Sequence, residues 1–209
     1  MKNIWLNINL TDYENHMALQ SVAQAQYLSK WFSEVLNSFQ PKSVAILGCS
    51  GGNGLEKMDD KKIEKVICVD INPDFVRETE NRYKKIFSNI EFICNDIASE
   101  NFKLPKVDFI YAGLIFEYVN IKLAISNISE FINANGILAV VIQQPNENIA
   151  EVSPSPYKSL EKLSQLFRFI NVTEFIELCN NYNLELISQK ETELASSKIF
   201  TELLFKKIN

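Results

Sequence analysis

The sequence holds a single histidine, His16, among 209 residues, so a metal centre built on several imidazoles has nothing to form from. Its four cysteines, Cys49, Cys68, Cys94 and Cys179, are far apart and form no C-x-x-C pair. Three lie in or beside apolar runs, a pattern of reduced thiols that excludes a zinc site and a disulfide framework. No apolar run approaches the roughly 20 residues of a membrane span, and the first residues, Met1 to Asn7, lack the apolar core and cleavage site of a signal peptide. The chain is therefore expected in the cytoplasm and away from membranes. Positive charge is not in excess either: 21 Lys and Arg against 26 Asp and Glu leave a net charge of −5. A dedicated nucleic-acid binder clusters basic residues against phosphates, so no nucleic-acid partner is expected. Glycine is scarce, at six, and this makes its distribution informative.

What is present is an alternation of apolar runs and helical patterns. Thr11 and Glu14 have the spacing of a capping box, and apolar residues from Met17 to Phe39 then recur at helical intervals, predicting one or two helices ending before Pro41. Ser43 to Leu47 reads as a buried strand that stops at glycine. Val66 to Val69 is a second, ending at Asp70, with Asn72 and Pro73 as N-cap and first-turn proline of a helix to about Phe87. Ile90 to Cys94 and Val107 to Tyr111 are the third and fourth. A helix from about Asn120 to Ile132 leads through an Asn135-Gly136 turn into the fifth, Ile137 to Ile142. Continuous apolar strands alternating with amphipathic helices predict a parallel sheet covered on both faces. After Pro145 a Pro/Ser-rich stretch, 153–157, precedes two short helical segments ending near Asn183. Leu184 to Glu191 and Lys198 to Lys207 then read as strands whose connection, through Leu194-Ala195-Ser196-Ser197, is too short for a parallel return, which needs about a dozen residues. They form an antiparallel hairpin.

Four of the six glycines, Gly48, Gly51, Gly52 and Gly54, fall in the turn after the first strand. Such a turn lets backbone N–H groups approach a ligand, or it is only a tight strand-to-helix connection. The carboxylate of Asp70, about 20 residues on at the end of the next strand, is placed to accept two ribose hydroxyls. Together they point to an adenosine-containing cofactor, with dinucleotides and S-adenosylmethionine both open at this stage. The G-x-G-x-x-G fingerprint is absent, since Ser50 holds its second glycine position. Gly48, Gly52 and Gly54 instead match G-x-x-x-G-x-G, which resembles the cofactor loop of short-chain dehydrogenases, and Tyr118 and Lys122 have that family's Tyr/Lys spacing. The pair follows the fourth strand here, where that family has it beyond the fifth.

Ala45-Ile46-Leu47-Gly48-Cys49-Ser50-Gly51-Gly52-Asn53-Gly54 resembles the first motif of class I S-adenosylmethionine-dependent methyltransferases. The likeness continues through Val69-Asp70-Ile71-Asn72, Cys94-Asn95-Asp96-Ile97 and Phe109 to Val119, covering roughly residues 40 to 145, and the closing hairpin agrees with that family's reversed last strand. The resemblance implies that Gly48, Cys49, Ser50 and Gly52 wrap the amino-acid part of the cofactor. It also implies that Asp70 binds the ribose, Ile71 packs on the adenine, Asp96 and Ile97 recognise its amino group and edge, and Ala112 to Leu114 pass beneath the sulfonium. The chain departs from the family pattern at Ile46, where an acidic residue is common, and at Ser50, where glycine is.

Methyl transfer from a sulfonium needs an in-line acceptor in dry surroundings, and a base only if the acceptor must lose a proton. Candidate catalytic residues are His16 and Tyr13, on the N-terminal helix that in this family often closes over the cofactor, and Glu117, after the fourth strand. Against these stand a surface or capping histidine and a first-turn helix carboxylate. Gln20, Gln24 and Gln26 are polar contacts on the same helix or a solvated face; Gln143 and Gln144 follow the fifth strand on the ligand side. Phe167, Phe169 and Phe175 read as core.

The expected fold is a three-layer α/β sandwich with a seven-stranded, mostly parallel sheet, in one domain: a helical lid over 1–40, a cofactor-binding core over 41–145, and acceptor-side helices with the hairpin over 146–209. The expected function is transfer of a methyl group from S-adenosyl-L-methionine to a small-molecule acceptor, by a monomer or homodimer. A nicotinamide-dependent, short-chain-type oxidoreductase and a non-catalytic S-adenosylmethionine-binding domain are the alternatives.

Overall fold

The apolar run Ser43–Leu47 forms a strand, β1, at the centre of a sheet whose order explains where a ligand can enter. The computed structural model describes residues 3–147, 149–154 and 156–209. The other elements are α1 (Leu10–Ala18), α2 (Gln24–Phe39), β2 (Lys65–Asp70), α3 (Pro73–Tyr83), β3 (Ile90–Cys94), β4 (Val107–Gly113), α4 (Ile121–Glu130), β5 (Ile132–Gln144), α5 (Val172–Asn180), β6 (Leu184–Glu193) and β7 (Ile199–Lys207). Short 3-10 segments lie at Ile4–Asn7, Leu55–Lys57, Phe116–Tyr118 and Lys158–Gln165. The seven strands run in the order β3-β2-β1-β4-β5-β7-β6. Pairings from β3 across to β5 are parallel, and β7 is antiparallel to both its neighbours. Chain order reverses between β1 and β4, and an open α/β sheet has its crevice at the carboxyl ends of such strands. Among the described residues no helix is long and apolar enough to cross a membrane.

Alternation along the strands divides the core into two layers. Val44 and Ile46 of β1, with Val66 and Cys68 of β2, face Leu28, Trp31, Phe32, Val35 and Leu36 of α2. Ala45, Leu47, Ile67 and Val69 face the opposite way, in the layer that holds Ala124, Ile125 and Ile128 of α4 and Phe175 of α5. Phe32, 1% exposed, sits in the first layer between Phe109 and Tyr111. Truncating such a ring to alanine costs about 3 to 5 kcal/mol. A third, smaller cluster packs Ile8 and Phe75 on Leu160 and Leu163, so the N-terminal residues rest on the Lys158–Gln165 segment at one end of the sheet.

Several boundaries differ from the sequence reading. The Thr11/Glu14 capping box does not form: Asn9, two residues earlier, accepts the Asp12 N–H at 3.0 Å and starts α1, which leaves Thr11 inside the first turn and frees Glu14. Helix α3 begins as expected, with the Asn72 side chain accepting from Asp74 N–H, but stops at Tyr83, because the chain must turn inward to bury Phe87. Helix α4 likewise ends at Glu130, since Ile132 already pairs with Val107. Asn135-Gly136 lies inside β5 as a bulge, with Asn135 at φ 64°, instead of forming a helix C-cap. Phe167 and Phe175 are core, whereas Phe169 is 38% exposed. Of the 153–157 stretch, Ser155 lies outside the described residues.

Candidate active site

A cavity of about 330 Å³ opens at the carboxyl ends of β1, β2 and β4. Gly48 and Ser50 line one side, Asp70 and Ile71 the floor, Asp96, Ile97 and Ala98 the far side, and Trp5, Tyr13 and Tyr118 the cover. A second hollow of about 390 Å³ runs along the glycine turn, bounded by Gly48 to Asn53, Glu14, Met17, Arg82 and Tyr83. The two share Tyr13, Gly48, Ser50 and Gly113, so they are two arms of one site meeting under Tyr13.

Asp70 is the hinge of this arrangement. It is 6% exposed, its Oδ2 accepts the Ser50 N–H at 2.9 Å, and its Oδ1 accepts the Asn72 N–H at 2.9 Å. Each oxygen keeps a second lone pair for a ligand in the cavity. Burial pushes the Asp70 carboxyl up to about 6, against the pull of the Asn72, Ser50 and Ile71 backbone N–H groups.

Ser50 stands where the family pattern has glycine, and it takes glycine's conformation, with φ 50°. Three contacts hold it there: its N–H on Asp70, its carbonyl under the Thr79 hydroxyl, and its side chain on the Tyr13 hydroxyl. Gly52, at φ 92°, has the Tyr83 ring 2.5 Å from where a Cβ would stand, so only glycine fits. Over the turn, Arg82 holds both carboxylate oxygens of Glu14 and reaches the Gly51 carbonyl at 3.1 Å, fastening α1 to α3.

The structure thus brings Tyr13, Gly48, Ser50, Asp70, Ile71, Asp96 and Ile97 together around the first cavity. Three sequence candidates lie off it. Cys49 is buried with its thiol toward Thr79, Gly52 lines only the glycine-turn arm, and Ala112 is sealed in the core, its successors Gly113 to Ile115 forming the wall instead. The candidate catalytic residues separate as well. Tyr13 lies at the junction, and burial pushes its hydroxyl up to about 12, so it stays protonated. His16, a buried residue of α1 rather than a surface cap, faces a small inner chamber of about 40 Å³ behind Tyr13, with Gln24, Gln143 and Lys198. Its Nδ1 has no partner among the described residues, and burial together with the Lys198 charge lowers its affinity for a proton. Glu117 is 1% exposed and lines neither cavity; its Oε1 accepts the Gln143 N–H at 2.7 Å, tying the turn after β4 to β5. Gln24 is buried, while Gln20 and Gln26 are exposed.

Sequence reasoning missed Trp5, Asn95, Arg82 and Lys198. An apolar Ile4-Trp5-Leu6 cluster ahead of a helix was the one local signal for a cover; the other three carry their roles through contacts distant in sequence. The Tyr118/Lys122 pair does not assemble: the Tyr118 ring is packed between Trp5 and Phe167, and Lys122 is exposed on α4.

Residues 44–136 match the family model described as a methyltransferase domain. Phosphoethanolamine N-methyltransferase 1 of wheat, Triticum aestivum, is 22% identical over 164 residues, which cover 75% of this chain and 32% of that protein. The chain thus spans about a third of the length of this curated relative. Among solved structures, the N-methyltransferase NodS from Bradyrhizobium japonicum, in complex with S-adenosyl-L-homocysteine, is similar with a TM-score of 0.64 at 15% identity, over 94% of this chain and 87% of that one. The magnesium protoporphyrin IX methyltransferase ChlM from Synechocystis, also with S-adenosylhomocysteine bound, gives 0.66 at 13% identity over 89% and 84%. The match to a methyltransferase domain thus spans residues 44–136, and the chain built around them has the fold of these methyltransferase structures.

Proposed function

We propose that the protein transfers a methyl group from S-adenosyl-L-methionine to a small-molecule acceptor. The observation that carries this reading is the position of Asp70. Its carboxylate, held by the Ser50 and Asn72 N–H groups, faces a cavity bounded by the glycine turn on one side and Asp96-Ile97 on the other. In this reading the first cavity takes the adenosine, with Asp70 on the ribose hydroxyls, Ile71 against the adenine face and Asp96 with Ile97 at its edge. The glycine-turn arm, Gly48 to Gly52, takes the amino-acid end. The helical segment over 1–40 acts as a lid, its grip supplied by Arg82 on Glu14 and by Asn72 on the Trp5 carbonyl.

When bound, S-adenosylmethionine supplies an electrophilic methyl that an acceptor lone pair displaces in line, the C–S electron pair leaving with sulfur. The chain's contribution is placement and exclusion of water. Trp5, Tyr13, Leu114 and Tyr118, shared by the first cavity and the inner chamber, form the dry wall at which the acceptor meets the methyl. Tyr13 keeps its proton and fixes Ser50. His16, neutral with a free Nδ1, is the group able to take a proton from the acceptor. Glu117 positions β5 from behind.

The test is calorimetric titration of the purified chain with S-adenosylmethionine, S-adenosylhomocysteine and NADH, repeated on Asp70→Ala. Saturable binding of both sulfur ligands, lost in the variant, supports the reading; binding of NADH alone, or of none, overturns it.

A further inference from the structure

The inner chamber behind Tyr13 contains a cation that no carboxylate among the described residues meets directly. Lys198, at the mouth of the β6–β7 hairpin, is 2% exposed. Its ammonium donates to the Gln143 Oε1 at 3.0 Å and to the Glu151 carbonyl at 2.9 Å, both neutral acceptors. No carboxylate lies within ion-pair distance of it among the described residues. An ammonium has three donors, so one is left over. Gln143, 4% exposed, is fully engaged in holding Lys198: its Oε1 receives the ammonium and its Nε2 donates to the same Glu151 carbonyl at 2.9 Å.

Nearby acids offset this cation only in part. Glu117 is the carboxyl whose field reaches Lys198, but it lies beyond ion-pair distance, its Oε1 is committed to the Gln143 N–H, and burial raises it to about 7, so it is only partly ionised near neutrality. Of the other titratable groups lining the chamber, His16 is held toward the neutral form, burial keeps Tyr13 and Tyr118 protonated, and the exposed Glu151 meets Lys198 through its backbone carbonyl. Burial lowers the Lys198 ammonium to about 8, so it still carries its charge near neutrality at a desolvation cost that an anion in the site would relieve. The chamber's volume, about 40 Å³, suits one small oxyanion group, and its outer wall is the wall of the first cavity.

We infer that this chamber seats the carboxylate of the methyl acceptor, with Lys198 as its anchor, so that the substrate is a small organic acid whose reacting atom projects past Tyr13 and Tyr118 into the first cavity. The inference rests on the methyltransferase reading for its word acceptor, but not for the anion site itself. A cationic amine headgroup in the chamber is disfavoured by Lys198, and a neutral group leaves its charge uncompensated. His16 Nδ1 remains free for the acceptor's proton.

The experiment is ligand-observed NMR and calorimetry on the full chain, with and without S-adenosylhomocysteine. The probes are acetate, glycolate and benzoate, each against its neutral amide: acetamide, glycolamide and benzamide. The expected result is that at least one acid binds in clear preference to its amide, and that Lys198→Met weakens that binding about tenfold or more while Lys198→Arg retains most of it. Equal binding of acid and amide, no binding of any of the three acids, or unchanged affinity in Lys198→Met would each overturn the proposal. If Lys198→Met fails to fold, the acid-against-amide contrast in the unaltered chain decides alone. Loss of S-adenosylhomocysteine binding with the acid preference intact would sink the methyltransferase reading and leave the anion site standing.

Discussion

The Asn72 carboxamide donates to the Trp5 carbonyl at 2.9 Å, so the residue that caps α3 also holds down the segment covering the cavity. Its own N–H meanwhile fixes Asp70 at 2.9 Å, and its Oδ1 accepts the Asp74 N–H at the same distance. One residue therefore joins the ribose-binding candidate through its backbone, and a helix start and the cover through its side chain.

These jobs separate by substitution. Asn72→Ala removes the cap, about 1 kcal/mol, together with the tie to Trp5. Asn72→Ser keeps a capping oxygen but is too short to reach Trp5. Serine should recover most of the thermal stability that alanine loses, while both variants release S-adenosylhomocysteine faster than the unaltered chain. Thermal melts and stopped-flow dissociation check this; serine releasing ligand at the unaltered rate would show that the Trp5 segment does not retain it.

The glycine turn gives an opposed pair. Ser50 already pays for a left-handed backbone, roughly 1 kcal/mol or more, so Ser50→Gly removes that strain as it removes the hydroxyl contact with Tyr13. Its net effect on stability should stay within about 1 kcal/mol. Gly52→Ala adds a Cβ 2.5 Å from the Tyr83 ring at φ 92°, and should cost about 2 kcal/mol or more and abolish ligand binding. Urea denaturation of both variants reads the difference.

Where the fold follows from short-range rules, the sequence announces it. Ser43–Leu47 and Ile90–Cys94 emerge as strands with their observed ends because each is an unbroken apolar run closed by turn residues. Asp70 is legible because its role depends on a fixed spacing from Gly48 along a β-α-β path. Lys198 is not, since nothing in a solvated-looking Ser-Ser-Lys turn tells that Gln143, 55 positions earlier, will bury it. Glu14 was read as a helix cap because Thr11 stands three residues before it; its partner Arg82, 68 positions away, becomes visible only when α1 is laid across the glycine turn.

Glu117 supplies a pH dependence of stability. Burial raises its carboxyl from 4.5 in the unfolded chain to about 7 in the folded one. The stabilisation from its protonated form is therefore complete below about pH 4.5 and is lost as the pH rises through about 7. The difference has a ceiling of roughly 3 kcal/mol, lowered by the attraction between ionised Glu117 and Lys198. Glu117→Gln keeps the acceptor for the Gln143 N–H and removes the titration. The variant should match the unaltered chain at pH 5 and exceed its urea stability by about 1 to 2 kcal/mol at pH 8. Equal stability at both pH values would mean that Glu117 ionises without penalty.

Asp70 supplies a pH dependence of binding, of opposite sign to its effect on the free protein. Burial raises its carboxyl to about 6, so its contribution to stability is present below the unfolded value of 3.8 and fades as the pH rises through 6. Ribose hydroxyls donate to the ionised form, so a bound ligand pulls the proton off. Affinity for S-adenosylhomocysteine should then climb as the pH rises through about 6 and level above it, with at most a tenfold change per pH unit below. Near pH 6 the binding enthalpy should vary with the buffer's ionisation enthalpy, as a proton is released. The His16 imidazole is also lowered from its ordinary value by burial, but only the Asp70 effect disappears in Asp70→Asn, whose affinity should be lower and flat. A slope that persists in Asp70→Asn would move the titrating group to His16 and the inner chamber.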